Sequence, residues 1–110
     1  FWDLPDNARL TAEMTSWPPK PGTNALVVRI SPDDYGQTFE GRLGYRVVSA
    51  GADARGNFTP IPRTGQDPDG AAFFEASPRL PVGDIVVQFD VMDANFDKPV
   101  QLTDWEMTVE

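Results

Sequence analysis

The sequence predicts an all-β fold, an immunoglobulin-like two-sheet sandwich of about seven short antiparallel strands. Three observations lead there. Apolar residues recur at every second position in segment after segment, which marks half-buried strands. No 3.6-residue apolar pattern persists for three turns, so no amphipathic helix is expected. Eleven prolines and nine glycines punctuate the 110 residues, and such frequent breaks fit short strands better than long helices.

Taken in order, residues 1–7 contain Pro5 and two acids and read as a lead-in. Residues 8–17 alternate, with Leu10, Ala12 and Met14 on one face and Thr11, Glu13 and Thr15 on the other. The Pro/Gly cluster at 18–22 stops this strand. Residues 24–30 form a second, with Leu26, Val28 and Ile30 aligned. "SPDDYGQTFEG" (31–41) is a loop, and a third strand over 42–49 aligns Leu43, Tyr45 and Val47. Residues 51–56 are a turn. "NFTPIPR" (57–63) holds two prolines, which cannot donate to a central ladder, so it is an edge strand at best. The prolines also protect it against pairing with another chain. "TGQDPDG" (64–70) reads as a turn-rich loop, and 71–76 as a short strand ended by Pro78 and Pro81.

Residues 82–91 carry the clearest alternation: Ile85, Val87, Phe89 and Val91 against Asp84, Val86, Gln88 and Asp90. After a turn at 92–99, residues 100–109 close the chain. Their apolar positions are Val100 and Leu102, then Trp105, Met107 and Val109. The phase slips by one residue near Asp104, which predicts a β-bulge.

One stretch, "SWPPKPGTNALVVRI" (16–30), admits two readings. Pro18 and Pro21 satisfy the PxxP pattern of a polyproline docking ligand. Patterned strands flank it closely, however, so it is expected to be the corner joining the first two strands. Proline stiffens that crossing and Gly22 allows its reversal.

The order of this corner, the Asp34-Tyr35-Gly36 turn, "TFEGRLGYRVV" and the later "LPVGDIVVQFDV" resembles the YtkA-like and FixH-like family of small extracytoplasmic immunoglobulin-type domains. The likeness spans roughly residues 17–91, with motifs that are structural. It implies a sandwich fold and export or membrane tethering, and for some members copper handling or oxidase assembly. This chain departs from the pattern in two places. The region after the third strand, "SAGADARGNFTPIPRTG", has neither Met nor His, and Ile85 stands where Trp is common.

Length suits a single domain over residues 1–110. The chain begins at Phe1 rather than Met, so it is expected to be part of a longer protein; the resemblance implies that this protein is exported or membrane-tethered, in the periplasm or at the cell surface. No apolar run approaches the ~20 residues that span a bilayer, so this segment is not expected to insert. With nine Lys and Arg against seventeen Asp and Glu, the net charge is −8. That balance disfavours nucleic acid, whose binding needs phosphate neutralisation. The sequence has no Cys and no His, which removes disulfides, thiolates, imidazole bases and the commonest zinc and copper ligands. A nucleophilic triad would need Lys20 or Lys98, both beside prolines, so no enzyme is expected.

Three binding chemistries remain. Aromatic side chains left outside the core can anchor a protein partner or stack on sugar rings. Phe58 and Phe96 lie near turns. Phe73 and Phe74 are adjacent and must point to opposite faces. Interaction residues are therefore expected among Phe58, Phe74, Phe96 and Trp2, whereas Trp17 and Trp105 are expected in the core. Carboxylate pairs Asp67/Asp69 and Asp93/Asp97, with Asp33 and Asp34, offer oxygen ligands to calcium, although Asp is also an ordinary turn residue. Met14, Met92 and Met107 offer thioethers to copper but read as core fillers. The resulting expectation is a non-catalytic accessory module with a protein partner and no cofactor. A copper- or calcium-binding domain and a carbohydrate-binding module are the alternatives.

Overall fold

The structure is a computed structural model that describes residues 1–52, 56–94 and 96–110. Among these described residues eleven strands run in order: β1 (Trp2–Asp3), β2 (Arg9–Met14), β3 (Gly22–Thr23), β4 (Leu26–Ile30), β5 (Arg42–Ser49), β6 (Thr59–Pro60), β7 (Arg63–Gln66), β8 (Ala72–Ala76), β9 (Arg79–Leu80), β10 (Gly83–Met92) and β11 (Val100–Val109). One sheet has the order β1-β2-β4-β8-β7, the other β11-β10-β5-β6, and β3 pairs with β9. Every pairing is antiparallel. Without the two-residue strands, the sheets read first-second-fifth-fourth and seventh-sixth-third. That is the strand order of a constant-type immunoglobulin sandwich.

The alternation read from sequence sets the core. Leu10 and Met14, Leu26, Val28 and Ile30, and Ala72 and Phe74 turn inward from the first sheet. Ile85, Val87, Phe89 and Val91, with Leu43, Leu102, Met107 and Val109, meet them from the second. Removing these apolar side chains from water is the main favourable contribution to the fold. The methionines follow suit: Met14 and Met107 are buried, and Met92 packs half-buried against the core.

Two local predictions are resolved directly. Val87 pairs with Trp105 and Phe89 with Leu102, so β11 carries one extra residue between them. This is the bulge expected near Asp104. The corner after β2 joins antiparallel neighbours, Met14 opposite Leu26. Asn24 organises it: its Nδ2 donates to the carbonyls of Lys20 (2.7 Å) and Gly22 (3.0 Å), and its Oδ1 accepts the Lys20 N–H. Gly22 has φ +93°, a left-handed conformation that glycine adopts at little cost.

Two expectations need correction. The lead-in is built into the sandwich: β1 pairs with β2, and a one-turn 3-10 helix at Pro5–Asn7 follows it. The Asp6 carbonyl accepts the Asp34 N–H, and Asn7 Nδ2 donates to the Asp34 carboxylate. In the segment read as a loop from residue 64, Arg63–Gln66 forms edge strand β7 along β8. All four of its residues are exposed, so no apolar alternation announced it. The turn read at 51–56 lies partly outside the described residues, as does residue 95 of the turn read at 92–99.

Candidate functional site

Of the four aromatics expected at an interaction surface, two are in the core. Phe74 is 2% exposed and Phe96 9%, so neither presents an open ring, although Phe74 is among the residues lining the groove beside Phe58. Phe74 shares the inward face of β8 with Ala72, while Phe73 on the outward face is half-buried. Glu75 carried the signal: a charged residue belongs on the solvent face, and parity places Phe73 beside it. Phe96 follows a turn, its N–H bonded to the Asp93 carbonyl, which folds its ring inward. Its centroid lies 6.2 Å from Phe39, which makes an edge contact with Phe74 at 5.9 Å. The loop aromatic Phe39 thus closes one end of the core.

Trp2 is half-buried and serves the fold. Its ring meets Trp105 at 6.0 Å and Phe89 at 5.9 Å, both edge-on, and its indole N–H donates to the Asp104 carboxylate. Trp105 packs against the core as expected. Trp17, expected inside, is 63% exposed on the proline corner, because the corner carries it past the end of β2.

Phe58 remains, and it frames a groove. The outward face of β5 presents Arg42, Gly44 and Arg46, which lie opposite Met92, Asp90 and Gln88 of β10. Gly44 leaves a gap there that Phe58 covers. A Cβ at Gly44 would stand 3.0 Å from Phe58 Cβ and 3.3 Å from the Thr59 carbonyl. The Arg46 guanidinium lies 4.2 Å from the Phe58 ring centre, donates through Nε to Gln88 Oε1 at 2.7 Å, and bonds the Gly56 carbonyl at 3.0 Å. This fixes the ring and satisfies Gln88, which is buried. An open groove of about 520 Å³ runs beside it, walled by Phe58, Pro60, Met92 and Pro99, with Arg42 and Asp90 at its polar side. The two ion pairs among the described residues, Arg9–Asp3 and Arg29–Asp67, involve neither of these charges.

The carboxylates proposed for calcium are spread over different tasks. Asp67 Oδ1 accepts the Ala71 N–H at 2.9 Å, and Oδ2 faces Arg29 at 3.4 Å. The Ala71 hydrogen bond is the largest influence and holds the carboxyl below its ordinary value; burial pushes it up, and the Arg29 guanidinium and the Asp69 N–H add to the lowering. Asp69 lies in the same turn and is exposed, Asp93 and Asp97 flank the turn of Phe96, and Asp33 Oδ1 accepts the N–H groups of Tyr35 and Gln37. Among the described residues, no three such groups come together where they could hold a metal ion.

The groove residues missed from sequence had a signal. On a strand whose inward positions are Leu43, Tyr45 and Val47, parity puts Arg42, Gly44 and Arg46 outside together. Glycine inside a strand often marks close approach of another chain segment. Pro60 and Pro99 join them only through tertiary structure. Comparison with known proteins finds no matching family model and no matching curated protein.

Proposed function

We propose that this domain is a non-catalytic recognition module that receives an extended segment of a protein partner in the groove beside Phe58. It would work outside the cytoplasm as part of a larger exported or tethered protein, a placement supported by its resemblance to YtkA-like and FixH-like domains. No helix among the described residues is long and apolar enough to cross a membrane.

The observation that carries the reading is the groove's make-up. An aromatic ring, Met92 and two prolines form an apolar surface beside Arg42 and Asp90, neither of which is in an ion pair with a described residue. Because Arg46 and the Gly44 gap hold Phe58 in place, little side-chain entropy is lost when a ligand packs on it.

Selection of displayed peptides on the folded domain, followed by affinity measurement, tests this. Phe58→Ser and Arg42→Glu should each weaken the selected peptides about tenfold or more, at unchanged fold by circular dichroism. Peptides indifferent to both changes would overturn the groove assignment. A rise in melting temperature with excess calcium, copper or oligosaccharide, but not with peptide, would instead favour the metal or carbohydrate alternatives.

A further inference from the structure

The four edges of the two main sheets differ in how they are blunted, and one half-strand is left open. β6 has two residues, with Pro60 inside it and Pro62 just after. β7 has four, with its register broken between Arg63 and Gly65, and the Arg63 side chain is turned to the Phe39 carbonyl and Gln66. β1 covers Arg9 and Leu10 of β2, and the rest of β2 runs into the proline corner. β11 is ten residues long. Its first half is interrupted by the bulge and covered where Trp2 bonds Asp104. From Trp105 to Val109 it carries no bulge, proline or glycine, and its only strand partner among the described residues is β10. Short edges, prolines, bulges, covering residues and charges are the usual protection against added strands. This half-strand has no proline or bulge; the Trp2 ring packs against it at Trp105, and beyond that residue its protection is the charge of Glu106.

We infer that the Trp105–Val109 half of β11 is a docking edge for a basic, extended polypeptide that adds to the second sheet as its fifth strand. In such addition the backbone hydrogen bonds supply affinity and alternate side chains supply choice. Trp105, Met107 and Val109 face inward, and Glu106 and Thr108 face outward. A recess of about 350 Å³ is lined by Asp84 and Ile85 of β10, Glu106, Met107 and Thr108 of β11, and Ala50 after β5. Thr108 Oγ1 donates to Asp84 at 2.6 Å, so Asp84 is engaged within the sheet, whereas the Glu106 carboxylate has no hydrogen bond or ion pair among the described residues.

The charge decides the occupant. A strand with Lys or Arg at its outward positions sets them against Glu106 and the field of a protein of net charge −8. A second copy of this chain fits poorly, since edge-to-edge pairing keeps outward residues on one face. Glu106 and Glu110 of one copy would then crowd those of the other. The inward positions of the added strand should be apolar, continuing the flank of Met107 and Val109. The edge lies across the sheet from β6 and the Phe58 groove, so the inference stands apart from that proposal.

The test uses a short blocked peptide alternating valine and lysine, titrated into the whole domain by NMR and followed by hydrogen exchange. Binding should protect β11 amides in residues 105–109, weaken with salt, and fall at least tenfold in Glu106→Lys, an exposed substitution that leaves the core intact. A valine–glutamate peptide should not bind. Methylating alternate peptide nitrogens should abolish binding, because it removes the ladder donors. Equal binding of the methylated peptide would reduce the effect to charge alone and overturn strand addition. Shifts confined to the Phe58 groove, or no binding at millimolar peptide, would also overturn it.

Discussion

Asp67 shows what a single carboxylate contributes here and how far its environment could be read in advance. The turn role of Asp-Pro-Asp-Gly was legible, because Asp accepts backbone N–H groups in tight turns, and Asp67 accepts that of Ala71. Its partner Arg29 comes from β4, 38 residues away in sequence, and no local pattern points to it. Since these contacts hold the Asp67 carboxyl below its ordinary value of 3.8, they favour the folded state wherever the group is ionised. The sign follows from linkage. The contribution is present above the ordinary carboxylate value and is lost as pH falls through the lower, folded value. Asp67→Asn should therefore lower the urea midpoint near neutral pH, and the gap from the wild type should shrink in strong acid. A gap that stays constant with pH would mean that the asparagine fails for steric reasons and that ionisation plays no part.

Elements with one buried face were readable, because burial imposes a period of two on their side chains. β4 follows it throughout and β10 everywhere but at Gln88, which is buried beside Arg46, and even the bulge in β11 appeared as a slipped phase. β7 left no trace because none of its four residues is buried; it exists through its ladder with β8. In β8 the pattern was present but shared between adjacent phenylalanines, and Glu75 is what sets its phase. Substitution separates the two faces. Phe74→Ala should cost about 3–5 kcal/mol, the usual range for deleting a buried aromatic ring. Phe73→Ser, on the half-buried outward face, should cost distinctly less. Denaturant melts of the two variants measure this, and equal costs would contradict the assigned faces.

At the scale of the whole molecule, the sandwich must also be closed along its open side, where β1 and β11 lie at the edges of different sheets. Trp2 does this. It sits on the first sheet through its pairing with Leu10, yet its ring packs on Phe89 and Trp105 and its N–H reaches Asp104 in the second sheet. Trp2 and Asp104 are 102 positions apart, too far for any periodicity to reveal, so sequence reading placed Trp2 outside. Trp17 reverses the case: it was expected in the core, but the proline corner leaves it 63% exposed. The two tryptophans should therefore respond differently to the same change. Trp2→Ala removes two edge-on aromatic contacts, each worth about 0.5–1.5 kcal/mol beyond area burial, together with the Asp104 hydrogen bond. It should lower stability by about 2–3 kcal/mol on that count and speed amide exchange in β11 around Asp104. Trp17→Ala touches no such contact and should stay within about 0.5 kcal/mol of the wild type, as exposed substitutions usually do. Calorimetry and hydrogen exchange on both variants decide the matter. Trp2→Ala melting like the wild type would mean that the sheets close without it, whereas a large loss at Trp17 would show that the corner is packed from outside.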